Sequence, residues 1–270
     1  MPPKRALWAI VPAAGVGSRM QGGDLPDIPK QYLPIDGQPL ILHTLSRLAS
    51  HPGISGIVIA ISAVDSWFGQ LDLADINRLL DVPLLTTAGG VSRSESVAAA
   101  TDYLMQHLGD SAESAWVLVH DAARPCVRLA DIDQLLECCD DQGGLLAMEV
   151  TDTLWQIEGD QRCQRTLPRD QLRRAVTPQF FPLLGLNSAL ARCQREQFQP
   201  TDEAEAMVRA GFHPRLVVGS GDNIKVTRRE DLALAEFYLR RQSPVSAEPQ
   251  SHRKNRDRGL NRQSQKKVSQ

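Results

Sequence analysis

Short apolar blocks alternate along this chain with longer stretches in which apolar residues recur every three or four positions. The blocks have the length and β-branched content of buried strands, and the longer stretches have the spacing of one helix face. Strand-like blocks fall at residues 7–11, ending at Pro12, at 54–62 ("ISGIVIAIS"), at 116–120 ("WVLVH", breaking at Asp121), at 145–150 and at 214–220. Helical spacing marks residues 40–50, with Leu42, Leu45 and Leu48 on one face, and 92–107, with Val97, Ala100, Tyr103 and Leu104 inward. It also marks 76–80, 131–140, 183–194, 202–210 and 229–241. Strands alternating with helices predict an α/β fold: a mostly parallel sheet with helices on both faces.

Two segments depart from that rhythm. Residues 151–172 alternate weakly and carry a turn at Glu158-Gly159-Asp160. They are expected to form a β-hairpin that projects from the domain, either as a plain surface hairpin or as an arm covered by a second subunit, since open strand edges invite pairing. From Gln242 onward large apolar residues nearly vanish, and Arg253, Lys254, Arg256, Arg258, Arg262, Lys266 and Lys267 accumulate. Such a segment buries too little surface to offset its ordering entropy. The expected organisation is one domain over 1–241 and a disordered basic tail over 242–270.

Composition narrows the class further. The 270 residues are 42% hydrophobic and 23% charged with a net charge of -2, which favours a globular domain and gives no sign of nucleic-acid or membrane binding. No run approaches the roughly 18 apolar residues of a membrane helix, and the N-terminus does not read as a secretory leader. The five cysteines are odd in number and form no CxxC pair, which fits a reduced, cytoplasmic setting with neither a zinc site nor a disulfide framework.

Three stretches carry candidate chemistry. "AIVPAAGVGSRM", residues 9–20, follows a strand and lacks bulky side chains, so backbone amides can approach an anion. It is neither a P-loop nor a complete dinucleotide fingerprint. Arg19 stands near its end and Lys30 follows, an arrangement suited to a phosphorus under attack, where charge neutralisation and positioning do most of the work. The alternative is a tight strand-to-helix turn with a surface arginine. "VLVHDAARPC" sets Asp121 just past a buried strand, where ligand sites open in α/β sheets. Asp121 could hold magnesium or cap a helix, and Arg124 offers a forked donor. His120 reads as structural. "DNIKVTRREDLALAEF" sets Lys225 in a short extended segment, and Thr227 to Glu230 reads as a capping box for the last helix. No Ser/His/Asp or Cys/His set, and no histidine pair with metal spacing, stands out.

Taken in order, "VPAAGVGSRM", "PKQY", "GGVSRSESV", "VLVHDAARPC", "VTPQFF", "TDEAEAM" and "DNIKVTRREDLALAEFYL" resemble the 2-C-methyl-D-erythritol 4-phosphate cytidylyltransferase family over residues 6–240. The resemblance implies a Rossmann-like nucleotidyltransferase fold with a β-arm that dimerises the protein. It implies CTP and a polyol phosphate as substrates, with Mg2+ or another divalent cation, in non-mevalonate isoprenoid synthesis. By motif, Arg19, Lys30, Lys225 and Arg169 are the expected catalytic residues. Pro12, Ala13, Ala14, Gly15, Gly17, Gly90, Ser96 and Asp121 are expected to bind CTP. Asp121, Arg124, Thr153, Arg169, Thr201 and Lys225 are expected to bind the acceptor, Thr153 and Arg169 reaching into the partner's site. The metal is expected on Asp121 or on the CTP phosphates.

Three features depart from the family pattern: the segment "MQGGDLPDIP" between Arg19 and Lys30 is longer, Val91 stands where many relatives carry a polar residue, and the basic tail is extra. Two other readings stay open at this level, a cytidylyltransferase for another polyol phosphate such as ribitol 5-phosphate, and a nucleotide-binding protein without catalysis.

Overall fold

The computed structural model describes residues 6–15, 28–71, 76 and 80–242. Of the tail expected over 242–270, Gln242 instead ends the last helix, and 243–270 lies outside the described residues, as do most of the expected helix at 76–80, Gly17 and Arg19.

A seven-stranded sheet forms the centre, built from β1 (Leu7–Pro12), β4 (Ile54–Ile61), β5 (Leu84–Ala88), β6 (Trp116–Val119), β7 (Gly144–Glu149), β10 (Arg173–Pro182) and β11 (Arg215–Val218). Its spatial order is β11-β7-β10-β6-β1-β4-β5. Four neighbouring pairs run parallel, and β10 alone runs antiparallel to both its neighbours. β2 (Pro34–Ile35) and β3 (Gln38–Pro39) make a small separate ribbon.

Strand β1 shows why helices cover both faces. Its side chains alternate: Leu7, Ala9 and Val11 enter one apolar cluster, and Trp8 and Ile10 enter another. The first cluster contains Ile41, Leu45 and Leu48 of α1 (Leu40–Ala49) and Ile132 and Leu135 of α3 (Leu129–Cys138). The second contains Val97, Ala100 and Leu104 of α2 (Arg93–Leu108), with residues of α4 (Leu183–Arg195) and α5 (Glu203–Arg209). Trp8 fits because its partner on β4 is Gly56, where a Cβ would lie 2.2 Å from the indole ring. A third cluster joins Ala123, Cys126 and Val226 to Ala235 and Leu239 of α6 (Glu230–Gln242).

Several local expectations change. Leu42 and Tyr103 are only half-buried; the inner face of α1 is Leu40, Ile41, Thr44, Leu45 and Leu48, and α2 buries Ser96 and Thr101 as well. Helix α6 does not begin with a Thr227–Glu230 box. Asp231 instead accepts from the Thr227 and Arg228 amides at 2.8 Å each and from the Thr227 hydroxyl at 3.1 Å. Strand β10 has no counterpart in the apolar pattern because arginines open it and Pro178 interrupts it. The β10–β7 register shifts between Ala175 and Gln179, so the proline falls outside the regular ladder.

The projecting hairpin is present as β8 (Leu154–Glu158) paired antiparallel with β9 (Arg162–Leu167), in a sheet of its own. Its turn contains Asp160 and Gln161 at positive φ, and Trp155 and Ile157 stand about half exposed on it. Among the described residues, no helix is long and apolar enough to cross a membrane.

Candidate functional site

A cavity of about 370 Å³ opens at the carboxyl ends of β5, β1 and β6. Strand β1 has β4 on one side and β6 on the other, so chain order reverses there, and α/β sheets form ligand crevices at such switch points. Pro12, Ala13, Ala14 and Gly15 line one wall, and Gly90, Val91, Ser92, Arg93 and Ser96 another. Lys30, Gln31, Asp121, Lys225 and Thr227 also line it.

The first two walls touch through glycine. A Cβ on Gly89 would lie 2.5 Å from the Ala14 Cβ and 2.9 Å from the Ser96 hydroxyl, so no larger residue fits. Ser96 Oγ accepts from the Gly90 amide at 3.2 Å and donates to the Ser92 carbonyl at 2.9 Å. Ser92 caps α2 by accepting from the Glu95 amide, and Glu95 reaches back to the Val91 amide at 2.9 Å. The turn is therefore rigid, and Val91 projects from it fully exposed.

Lys30 opens a 3-10 turn, Lys30–Tyr32, that is fixed at its next two residues. Gln31, buried, donates to the Ala13 carbonyl at 3.1 Å, which ties the turn to the amide loop. Tyr32 donates to Asp65 at 2.8 Å. Burial, reinforced by Asp65, pushes the Tyr32 hydroxyl's pKa up and keeps it a donor. The Lys30 ammonium donates to the Val226 carbonyl at 3.4 Å, beside Lys225.

The charged centre is Asp121. Its Oδ1 accepts from Arg93 Nε at 2.9 Å, and its Oδ2 from Lys225 Nζ at 2.9 Å and Arg124 Nε at 3.3 Å. Arg93 extends a fork from the same guanidinium to Glu203, at 2.6 and 3.1 Å. Burial opposes ionisation of Asp121, but Arg93, Lys225 and Arg124 outweigh it and hold the carboxyl well below the usual carboxylate range. Burial likewise disfavours the Arg93 charge, yet Glu203 and Asp121 outweigh it and raise the pKa. For Glu203 burial prevails over Arg93, and its pKa is raised. Among the described residues the cavity brings Arg93, Lys225 and Lys30 together around Asp121, a set of donors that suits a polyanionic ligand.

His120 holds Asp121 from behind. Its Nε2 faces the Arg124 carbonyl at 2.9 Å, an acceptor only, so Nε2 carries the proton and Nδ1 accepts from Thr177 at 3.0 Å. Thr177 in turn accepts from the Asp121 amide at 3.1 Å. Burial lowers the His120 pKa to about 4, which keeps the ring neutral and structural.

The expected site residues divide clearly. Pro12, Ala13, Ala14, Gly15, Lys30, Gly90, Ser96, Asp121 and Lys225 meet in this cavity. Arg124 is buried behind it, donating to Asp121 and to the Asn223 carbonyl at 2.8 Å. Thr201 is exposed and bonds Glu205, and Thr153 and Arg169 lie on the exposed arm, Arg169 bonding the Thr151 carbonyl. None of these four lines the cavity of its own chain. Gly17 and Arg19 lie outside the described residues.

Arg93, which lines the cavity, and Glu203, which pairs with it, belong to the candidate site and were not picked out by sequence reasoning. A signal existed for the first, a cation in the opening turn of a helix, where the helix dipole disfavours it. Glu203 followed Asp202 in a helix-start pattern and gave no sign that it would be fully buried.

As a magnesium ligand, Asp121 fits poorly, because both its oxygens already accept from cations. Among the described residues no group of three His, Cys, Asp or Glu could hold a metal.

Comparison with known proteins bears on the whole domain. A family model described as 2-C-methyl-D-erythritol 4-phosphate cytidylyltransferase matches residues 7–241. The protein of that name from Haemophilus influenzae (strain PittEE) is 46% identical over 237 residues, covering 88% of this chain and 98% of its own. Its namesake from Shewanella loihica is 46% identical over 238 residues, covering 86% and 92%. The crystal structure of the Francisella tularensis protein of this name superposes with a TM-score of 0.69 at 31% identity, covering 87% of this chain and all of its own. A structure titled 4-diphosphocytidyl-2C-methyl-D-erythritol synthase gives a TM-score of 0.71 at 28% identity, covering 87% and 99%.

Proposed function

The chain belongs to the 2-C-methyl-D-erythritol 4-phosphate cytidylyltransferase family, and from that premise we propose how its Asp121-centred cavity performs the family's reaction. The protein is a nucleotidyltransferase that moves CMP from CTP to 2-C-methyl-D-erythritol 4-phosphate in non-mevalonate isoprenoid synthesis. The ribitol 5-phosphate alternative is not favoured. A phosphate oxygen of the acceptor attacks the α-phosphorus of CTP in line. A new P–O–P bond forms, the bond from the α-phosphorus to its bridging oxygen breaks, and pyrophosphate leaves with that electron pair.

The carrying observation is the convergence of the Ala13–Gly15 amide loop, the Gly90–Ser96 turn and the ammonium groups of Lys30 and Lys225 on one cavity. Amides and glycine turns of this kind approach a nucleotide closely. Lys30, with Arg19 earlier in the sequence, neutralises charge gathering on the five-coordinate phosphorus. Lys225, steered by Asp121, meets the acceptor phosphate, and Asp121 with Arg124 behind it sets the acceptor's place. Magnesium, when bound, would be held by the CTP phosphates and would supply further charge neutralisation there.

The exposed β8–β9 hairpin, with Trp155 and Ile157 uncovered, supports a homodimer in which Thr153 and Arg169 complete the partner's acceptor site. A cytoplasmic setting accords with five free cysteines. Phosphorus NMR tests the reading directly: CTP and the acceptor should yield pyrophosphate and a new diphosphate diester. A diester with ribitol 5-phosphate and none with the methylerythritol phosphate would overturn the acceptor.

A further inference from the structure

A second cavity, of about 700 Å³, shares no lining residue with the first. Its wall takes Arg47 from α1, Arg128 from the start of α3, and Tyr238, Arg241 and Gln242 from α6, with Asp222 between them. Among the described residues, three guanidinium groups thus face a space lined by one carboxylate.

That carboxylate is already committed. Asp222 accepts from Arg128 Nη2 at 2.5 Å and Nε at 2.9 Å, and from Gln242 Nε2 at 3.1 Å. Arg47 donates to the neutral Gln242 amide oxygen at 3.0 Å, and Arg241 packs over the Phe237 ring at 5.6 Å. Among the described residues neither has a carboxylate partner within ion-pair distance. Arg47 is moreover half-buried, and burial lowers its pKa more than Cys126 and Asp222 raise it, so its charge stands at a cost that a bound anion would relieve.

We propose that this cavity is an anion site for a phosphate or diphosphate group. Guanidinium forks match phosphate oxygens two at a time, which a spherical ion such as chloride cannot exploit. The cavity is much larger than one phosphate, and Tyr238 offers an aromatic wall to an organic remainder, so a phosphorylated small molecule fits better than the bare ion. The inference is independent of the reaction proposed for the first cavity.

The probes are inorganic phosphate and inorganic diphosphate, titrated calorimetrically into the full chain without magnesium. The expected result is a binding event weakened roughly tenfold or more by Arg47→Gln and by Arg241→Gln, since each removes a charge-assisted hydrogen bond. The same event should survive the double change Lys30→Ala and Lys225→Ala, which strips the first cavity. Sodium chloride at equal ionic strength should not displace the probe. Circular dichroism checks that each variant folds; if Arg47→Gln does not, Arg241→Gln, exposed near the helix end, decides alone. Isotherms unchanged in the arginine variants, lost in the lysine double variant, or abolished by matched chloride would overturn the site.

Discussion

The ammonium group of Lys225 lies 2.9 Å from Oδ2 of Asp121, and that carboxylate also bonds Arg93 and Arg124. One buried anion therefore aims three cations drawn from three parts of the chain. Asp121→Asn should leave those cations facing one another without their counter-charge. Breaking a buried charge cluster of this kind costs about 3 kcal/mol of stability, and turnover should fall by about two powers of ten as Lys225 loses its position. Urea denaturation and initial rates measure the two effects. Full activity in the variant would show that Asp121 does not set the lysine.

Acid should weaken the fold in two separate windows. His120 has a folded pKa of about 4 against an ordinary value of 6.5, so the unfolded chain takes up the proton first. Stability should then decline as pH falls from 6.5 to 4, by about 3 kcal/mol in total from this residue. Asp121 is depressed in the folded state, so its contribution persists above the unfolded pKa and is lost only as pH falls further, below about 4. Denaturation midpoints across pH 7 to 4, with His120→Gln as the comparison, should show a flatter slope in the variant. An equal slope would remove His120 from the explanation.

Arg19→Ala and Lys30→Ala should each lower turnover by about two or more powers of ten, typical of losing a charged transition-state contact. CTP affinity should change much less, because other groups hold the nucleotide. Rapid-quench rates beside equilibrium CTP binding separate the two. Near-normal turnover in either variant would cancel that residue's role.

The dimer proposal has its own test. Arg169→Ala and Arg124→Ala should each impair the enzyme, the first by raising the acceptor's KM with the chain still dimeric by light scattering. Mixed subunits should regain activity, because one of the two sites in a heterodimer then carries both intact side chains. Mixtures no more active than their parents would argue against an arm that crosses subunits.

Much of this arrangement was legible in the sequence because it rests on local patterns. The strands at Leu7–Pro12 and Trp116–Val119, and Ile54–Ile61 from Gly56 on, are buried on both faces, so they read as near-continuous apolar blocks. The Gly89-Gly90 turn and the Ala13–Gly15 loop follow strand ends and lack bulky side chains, a visible signature of close backbone approach. What escaped depends on contacts distant in sequence. Arg93 and Glu203 are 110 residues apart and meet only in the fold. Strand β10 hides behind Pro178, and Asp231 displaced Glu230 as the helix cap because its carboxylate reaches two amides at once. Spacing alone does not distinguish those two acids.

The most direct test is pyrophosphate release from CTP and magnesium, with 2-C-methyl-D-erythritol 4-phosphate and ribitol 5-phosphate supplied separately. Rapid release with the first acceptor and little with the second is the expected outcome, and Lys30→Ala should slow it by about two powers of ten or more. Release with ribitol 5-phosphate alone, or CTP binding without release from either acceptor, would contradict the assigned reaction.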